Sequence, residues 1–249
     1  MNIRGMIRNW TKWGEIDPLW AILSDPKKRG NKWDSEEFFD TGRKKVEEDM
    51  EWLAQRGLRL HFGKALDFGC GVGRLTRALS SYFTEVHGVD ISPSMIDKAK
   101  QLCEGRCGKI TFYLIDKGDL SFFAYGTYDF VYSYLTLQHI PTHLQEQYIA
   151  DFFRILKPGG TALFQTIQRH GWRSMVPNSI AEAYRVLKHR GRPFLPMYGI
   201  SPKTIASLAQ LKNCRIAEIS SSPVRGLESR FIRDTYCILK EDAQSVKLG

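Results

Sequence analysis

The stretch Lys64-Ala65-Leu66-Asp67-Phe68-Gly69-Cys70-Gly71-Val72-Gly73-Arg74-Leu75-Thr76 constrains the fold of this chain more than any other. A short apolar run carries an acid near its end. A Gly-x-Gly-x-Gly turn follows, then a pattern that puts Leu75, Ala78, Leu79, Tyr82 and Phe83 on one helical face. The order is strand, tight loop, helix. Glycines in the turn let backbone pass close to a ligand and take dihedrals closed to other residues. The free N–H groups at a helix start favour an anionic group. Nineteen positions beyond Gly71, Asp90 ends a second run, Glu85-Val86-His87-Gly88-Val89. An acid at that spacing can accept hydrogen bonds from a ribose. Together these features imply a site for a nucleoside.

A dinucleotide site would use the same geometry, but its signature is Gly-x-Gly-x-x-Gly with a pyrophosphate on the helix start. Here the third glycine comes one position early. Asp67, two residues before the first glycine, would oppose a pyrophosphate and favour a ligand with an ammonium group. S-adenosylmethionine has a ribose, an adenine, an ammonium and a carboxylate, and no phosphate. Further blocks point the same way: Gly88-Val89-Asp90-Ile91-Ser92-Pro93-Ser94-Met95, Asp116-Lys117-Gly118-Asp119-Leu120, Tyr128-Asp129-Phe130-Val131-Tyr132-Ser133, Leu137-Gln138-His139-Ile140-Pro141 and Ile155-Leu156-Lys157-Pro158-Gly159-Gly160-Thr161. With these, from about Gly63 to Lys240, the sequence resembles the class I S-adenosylmethionine-dependent methyltransferases. The likeness is to the small-molecule type, with a core like the ubiquinone and menaquinone methyltransferases.

The resemblance implies S-adenosyl-L-methionine as cofactor and assigns residues to it. Asp90 is expected to take both ribose hydroxyls, with Ile91 and Met95 flanking the adenine. Asp116 resembles the acid that accepts from adenine N6, and Lys117 follows it. Gly69, Cys70, Gly71 and Gly73 form the loop, which Asp67 would hold while also meeting the ligand ammonium. Some members place an arginine of the leading helix on the cofactor carboxylate, and Arg43 stands in that region. Asp129 is expected to be structural. After the fourth strand, Tyr134 could shape the acceptor pocket and His139 could act as a general base, since its ordinary pKa lies near working pH.

Strands are expected at 64–68, 85–90, 110–115, 128–134, 160–166, 214–219 and 235–239, and helices at 73–82, 93–104, 142–156 and 202–212. Strand–helix alternation argues an α/β fold, a doubly wound and mostly parallel sheet with helices on both faces. The resemblance makes it the seven-stranded, Rossmann-like methyltransferase sheet with one antiparallel strand in its last hairpin. Residues 1–60 are read as an N-terminal helical arm or cap, and 61–249 as the core. The arm is rich in tryptophan (Trp10, Trp13, Trp20, Trp33), which sets it apart from a disordered tail. Its helix from Ser35 is expected to break near Thr41-Gly42. Residues 167–200 are too long for an ordinary connection. They are read as a lid insertion, with a short helix at Ala181–Leu187.

At 249 residues the chain can bury one full core. No apolar window of about 18 residues exists for a membrane-spanning helix. The N-terminus lacks a signal-peptide pattern. Five cysteines form no paired framework and no zinc spacing, so no metal is expected and a cytoplasmic location is. The net charge of +9 is concentrated in residues 1–33 and 168–200. It could serve an acidic partner, but no RNA-binding aromatic–basic signature or Arg/Gly repeat accompanies it.

Base-methylating enzymes carry an Asn/Asp-Pro-Pro-aromatic run after the fourth strand, and cytosine C5 enzymes a Pro-Cys nucleophile. Tyr132-Ser133-Tyr134-Leu135 has neither. The expected function is therefore methyl transfer to an O or N of a small, acidic or lipid-like acceptor by in-line displacement. The alternatives are an RNA or protein methyltransferase acting through the basic surfaces, or a cofactor-binding scaffold.

Overall fold

A computed structural model of the chain describes residues 2–105, 109–169, 193–224, 227 and 231–241. The expected short helix at 181–187, Cys107 and most of the basic stretch at 168–200 lie outside them.

Seven strands, β1 (Lys64–Phe68), β2 (Glu85–Asp90), β3 (Ile110–Leu114), β4 (Tyr128–Ser133), β5 (Leu156–Arg169), β6 (Cys214–Pro223) and β7 (Phe231–Lys240), form one sheet in the order β3-β2-β1-β4-β5-β7-β6. The pairs from β3 to β5 are parallel, and β7 runs antiparallel to both β5 and β6. The chain reverses its direction of winding between β1 and β4. In open sheets of this kind ligands bind beyond the carboxyl ends of the strands at that point. Every residue of β4 is buried, as expected of a parallel strand covered on both faces.

Side chains alternate across β1 and divide the core in two. Leu66 and Phe68 pack with Val131, Tyr148, Phe152 and Ile205, beneath helices α6 (Thr142–Ile155) and α7 (Pro202–Leu211). Ala65 faces the other way and joins Phe130, Tyr132, Val46, Leu53 and Leu75, beneath α3 (Ser35–Gln55) and α4 (Arg74–Leu79). The start of β4 is fixed by Asp129, which accepts from the Lys64 N–H and Lys157 Nζ, both at 2.7 Å. This is the structural task expected of it.

The break expected near Thr41-Gly42 does not occur, and α3 runs unbroken for 21 residues. Its N-cap is Asp34, whose Oδ1 accepts from the Glu37 N–H at 2.9 Å. Gly42 serves close approach instead of a turn. A Cβ built there would lie 2.4 Å from the Arg74 carbonyl oxygen. The glycine costs about 1 kcal/mol in helix propensity and lets α3 lie against α4.

Two shorter helices precede it, α1 (Ile3–Ile16) and α2 (Pro18–Ile22). Their Trp13 and Ala21 bury against Phe38, Phe39, Val72 and Met95. Ser94, in the first turn of α5 (Pro93–Cys103), donates through Oγ to the Thr11 carbonyl at 2.8 Å. Asn9 exchanges two hydrogen bonds with the Phe194 backbone, at 2.9 and 3.0 Å. The chain's first helix is thus tied both to the nucleoside half of the sheet and to the segment leading into α7. Among the described residues no helix is long and apolar enough to cross a membrane.

Candidate active site

A cleft opens beyond the carboxyl ends of β1, β2 and β4. Its floor is the glycine loop. The Gly69 and Cys70 N–H groups donate to the Val89 carbonyl at 2.8 and 3.0 Å, which folds the loop over β2. Gly69, Gly71 and Gly73 all have positive φ, at 74°, 54° and 85°, where an L side chain is disfavoured. Space excludes one too. A Cβ would lie 2.1 Å from the Thr136 side chain at Gly69 and 2.5 Å from Ile22 Cδ1 at Gly71. Gly73 then caps the start of α4.

Asp90 stands where β2 ends, half-buried on the cleft wall. Its Oδ2 accepts from the Gly71 N–H and its Oδ1 from the Ser92 N–H, both at 2.9 Å. Burial raises its pKa, opposed by these backbone donors. Ile91, Met95 and Ile115 line the same end of the cleft and make an apolar slot suited to a flat base.

Four expected cofactor contacts fall elsewhere. Asp116 and Lys117 are exposed and off the wall. The Ile115 N–H donates to the Asp90 carbonyl at 2.9 Å, which carries Ile115 inward and leaves the next two side chains in solvent. Arg43 is also in solvent, paired with Asp40 at 2.6 Å and Glu47 at 3.2 Å along α3. Because α3 is unbroken, the residue after Gly42 turns away from α4 and from the cleft. Asp67 lies behind the loop, only 1% exposed, and accepts from Thr76 Oγ1 at 2.6 Å. Burial pushes its pKa up to about 6. It holds the loop and does not line the cleft.

At the far end are Tyr134 and His139. His139 Nδ1 donates to the Pro196 carbonyl at 2.5 Å. That fixes the tautomer and leaves Nε2, 3.1 Å from Gln138 Nε2, as the acceptor. Burial holds its pKa down to about 4, so the ring is neutral at physiological pH. Trp10 of α1 meets the ring edge-on at 5.4 Å between centroids.

Sequence reasoning missed Trp10, Ile22, Arg74, Leu135 and Thr136 on the wall. Leu135 has φ 61°, a costly conformation for a non-glycine residue and one that tends to mark functional sites. Arg74 was visible as the residue after the third glycine. The Trp10 and Ile22 contacts are long-range and leave no local pattern. Among the described residues no group of three or more His, Cys, Asp or Glu is placed to hold a metal ion.

The donor set fits S-adenosylmethionine. An acid stands at the end of β2 beside the glycine loop, and an apolar slot adjoins it. Comparison with known proteins agrees. A family model described as a methyltransferase domain matches residues 65–160. The ubiquinone biosynthesis O-methyltransferase of Methylococcus capsulatus is 32% identical over 106 residues, covering 43% of this chain and 44% of that enzyme. The enzyme of the same name from Bordetella avium is 25% identical over 189 residues, 76% of this chain and 75% of that one. Two solved structures share the fold. Magnesium protoporphyrin IX methyltransferase from Synechocystis, with bound S-adenosylhomocysteine, superposes with TM-score 0.63 at 20% identity, covering 96% of this chain and all of that one (100%). Phosphoethanolamine N-methyltransferase 2 of Haemonchus contortus, with S-adenosylmethionine, gives 0.58 at 19% identity, covering 79% and 53%. On sheet order, loop and relatives together, the chain belongs to the class I S-adenosylmethionine-dependent methyltransferases.

Proposed function

We propose that this enzyme methylates an oxygen of a small-molecule acceptor. The observation that carries the proposal is the single cleft with Asp90 at one end and a tautomer-fixed His139 at the other. The name of the relatives, ubiquinone biosynthesis O-methyltransferase, supports a hydroxyl acceptor.

The cofactor supplies an electrophilic methyl group on a sulfonium. The chain's own task is then mainly orientation. Asp90 accepts from the ribose hydroxyls, since a carboxylate has about four acceptor positions and Gly71 and Ser92 take one each. Ile91 and Met95 enclose the adenine. The arm of residues 1–60 acts as a cap on the 61–249 core, with Trp10 limiting water near His139.

His139 receives the acceptor's proton at Nε2 once the hydroxyl displaces the Gln138 amide. A pKa of about 4 is far below that of a hydroxyl, so the imidazole does not strip the proton beforehand. As the oxygen gains its methyl group the proton becomes strongly acidic, and a weak base held in place is enough. Tyr134 shapes the acceptor end.

The test is incubation with labelled S-adenosylmethionine and parallel panels of phenols, hydroxy acids and amines. Label on oxygen supports the reading. Transfer to amines alone, or none from any panel or fractionated extract despite cofactor binding, rejects it.

A further inference from the structure

Arg74 is among the most enclosed charged residues of the protein, 3% exposed, yet it stands on the cleft wall. Its surroundings are unusual for a buried cation. Among the described residues no carboxylate lies within ion-pair distance. Asp67, the acid that acts on it electrically, is committed to the Thr76 hydroxyl. Nη1 donates to Thr41 Oγ1 at a long 3.2 Å. Nε is buried with no hydrogen-bond partner. The guanidinium carbon lies 5.8 Å from the centre of the Tyr134 ring, a weak attraction. Burial alone lowers its pKa.

Leaving a guanidinium buried and unpaired is costly, because desolvation falls on the charge and nothing offsets it. The stem is held in place by α3, where Gly42 leaves room for it: a Cβ there would come within 2.8 Å of Arg74 Cγ. The head is therefore fixed between the glycine loop, Thr41 and Tyr134. It faces the part of the cleft beyond the ribose-binding acid, toward the acceptor end.

We propose that Arg74 is the carboxylate receptor of this site and binds the amino-acid end of the cofactor, the task that the sequence suggested for Arg43. A guanidinium offers a planar fork to a carboxylate, and this one reaches the cleft from α4, directly behind the loop. Its missing counter-charge arrives with the ligand. The inference rests on the cofactor reading above and adds the residue that discriminates between whole and truncated cofactors.

The test uses calorimetric titration of the full chain with S-adenosylhomocysteine and with its decarboxylated analogue. Wild-type protein is expected to prefer the carboxylate-bearing ligand at least tenfold, the scale of hydrogen bonds between charged groups. Arg74→Met, which keeps the stem, is expected to bring the two affinities within about threefold of each other, while Arg43→Ala keeps the preference. A thermal melt gives a second readout. Removing an unpaired buried charge should leave the ligand-free Arg74→Met protein as stable as wild type or more so, whereas a merely structural arginine would destabilise it on removal. A wild-type protein that binds both ligands equally overturns the proposal without any variant. So does an Arg74→Met protein that keeps the preference and loses only acceptor affinity, which would assign the arginine to an anionic acceptor. No binding of either ligand by wild type would instead overturn the cofactor reading itself.

Discussion

Gly71 and Asp90 are joined by a hydrogen bond of 2.9 Å from the loop amide to the carboxylate, so the acid proposed to hold the ribose also closes the glycine loop. Removing it should do two things at once. Asp90→Ala is expected to weaken S-adenosylhomocysteine binding by about 1.5–3 kcal/mol, the scale of a charged hydrogen bond. It should also speed amide exchange in residues 69–73. Calorimetry and hydrogen exchange check the two effects separately, and unchanged affinity would remove Asp90 from the ribose.

Gly71→Ala should be harmful from two sides. The backbone holds φ at 54°, where an L residue costs about 1–2 kcal/mol, and the new methyl would meet Ile22. Adding Ile22→Ala should relieve the second cost and leave the first. Urea denaturation of both variants would show partial recovery in the double variant.

Asp67 has a pKa of about 6 in the folded protein, against about 3.9 when unfolded. The folded state therefore binds more protons between these values. The stability that this group contributes is complete below about pH 4 and is lost as pH rises through about 6. Asp67→Asn removes the titration, so its stability relative to wild type should climb by roughly 3 kcal/mol from pH 3.5 to pH 6.5. Denaturation across that range tests it, and a flat difference would contradict the burial of this carboxyl.

His139 should leave a distinctive pH profile. With its pKa lowered to about 4, the imidazole stays neutral above pH 5, so turnover on a hydroxyl acceptor should not fall on its account between pH 5 and 8. Turnover should decline as pH drops through about 4. His139→Ala is expected to slow that reaction by about 10²–10⁴ and to slow transfer to an amine much less. Equal losses for both acceptors would make His139 a packing residue.

The sheet was legible in the sequence because its inner strands are buried on both faces and read as short, mostly apolar runs bounded by turn residues. β1 and β2 begin and end where the pattern puts them. The outer hairpin was less so. β6 and β7 extend to Pro223 and back to Phe231, through Ser220, Ser221 and Ser222 on one side and the charged Arg233 and Asp234 on the other, which interrupt the apolar pattern. Gly42 misled for a physical reason: a glycine that breaks a helix and one that admits a neighbouring backbone look alike in one dimension. Arg43 was assigned by likeness to members that use an arginine of the leading helix, and here α3 turns that residue into solvent, paired with Asp40 and Glu47. Asp116 misled similarly, since the side chain that follows a strand can turn either way, and here Ile115 took the inward position. The loop and Asp90 were readable because strand, turn and acid are close in sequence. Trp10, Ile22 and Thr136 reach the cleft only through tertiary packing.

The paired hydrogen bonds between Asn9 and the Phe194 backbone matter for anyone trimming this protein. The recognisable domain occupies residues 65–160, and a fragment cut to it would retain Asp90 and His139 while shedding Trp10, Ile22, Thr41 and the Pro196 carbonyl that orients the imidazole. Such a fragment would possess the signature of its family but only part of the reaction chamber, because its walls come from segments on both sides of that domain.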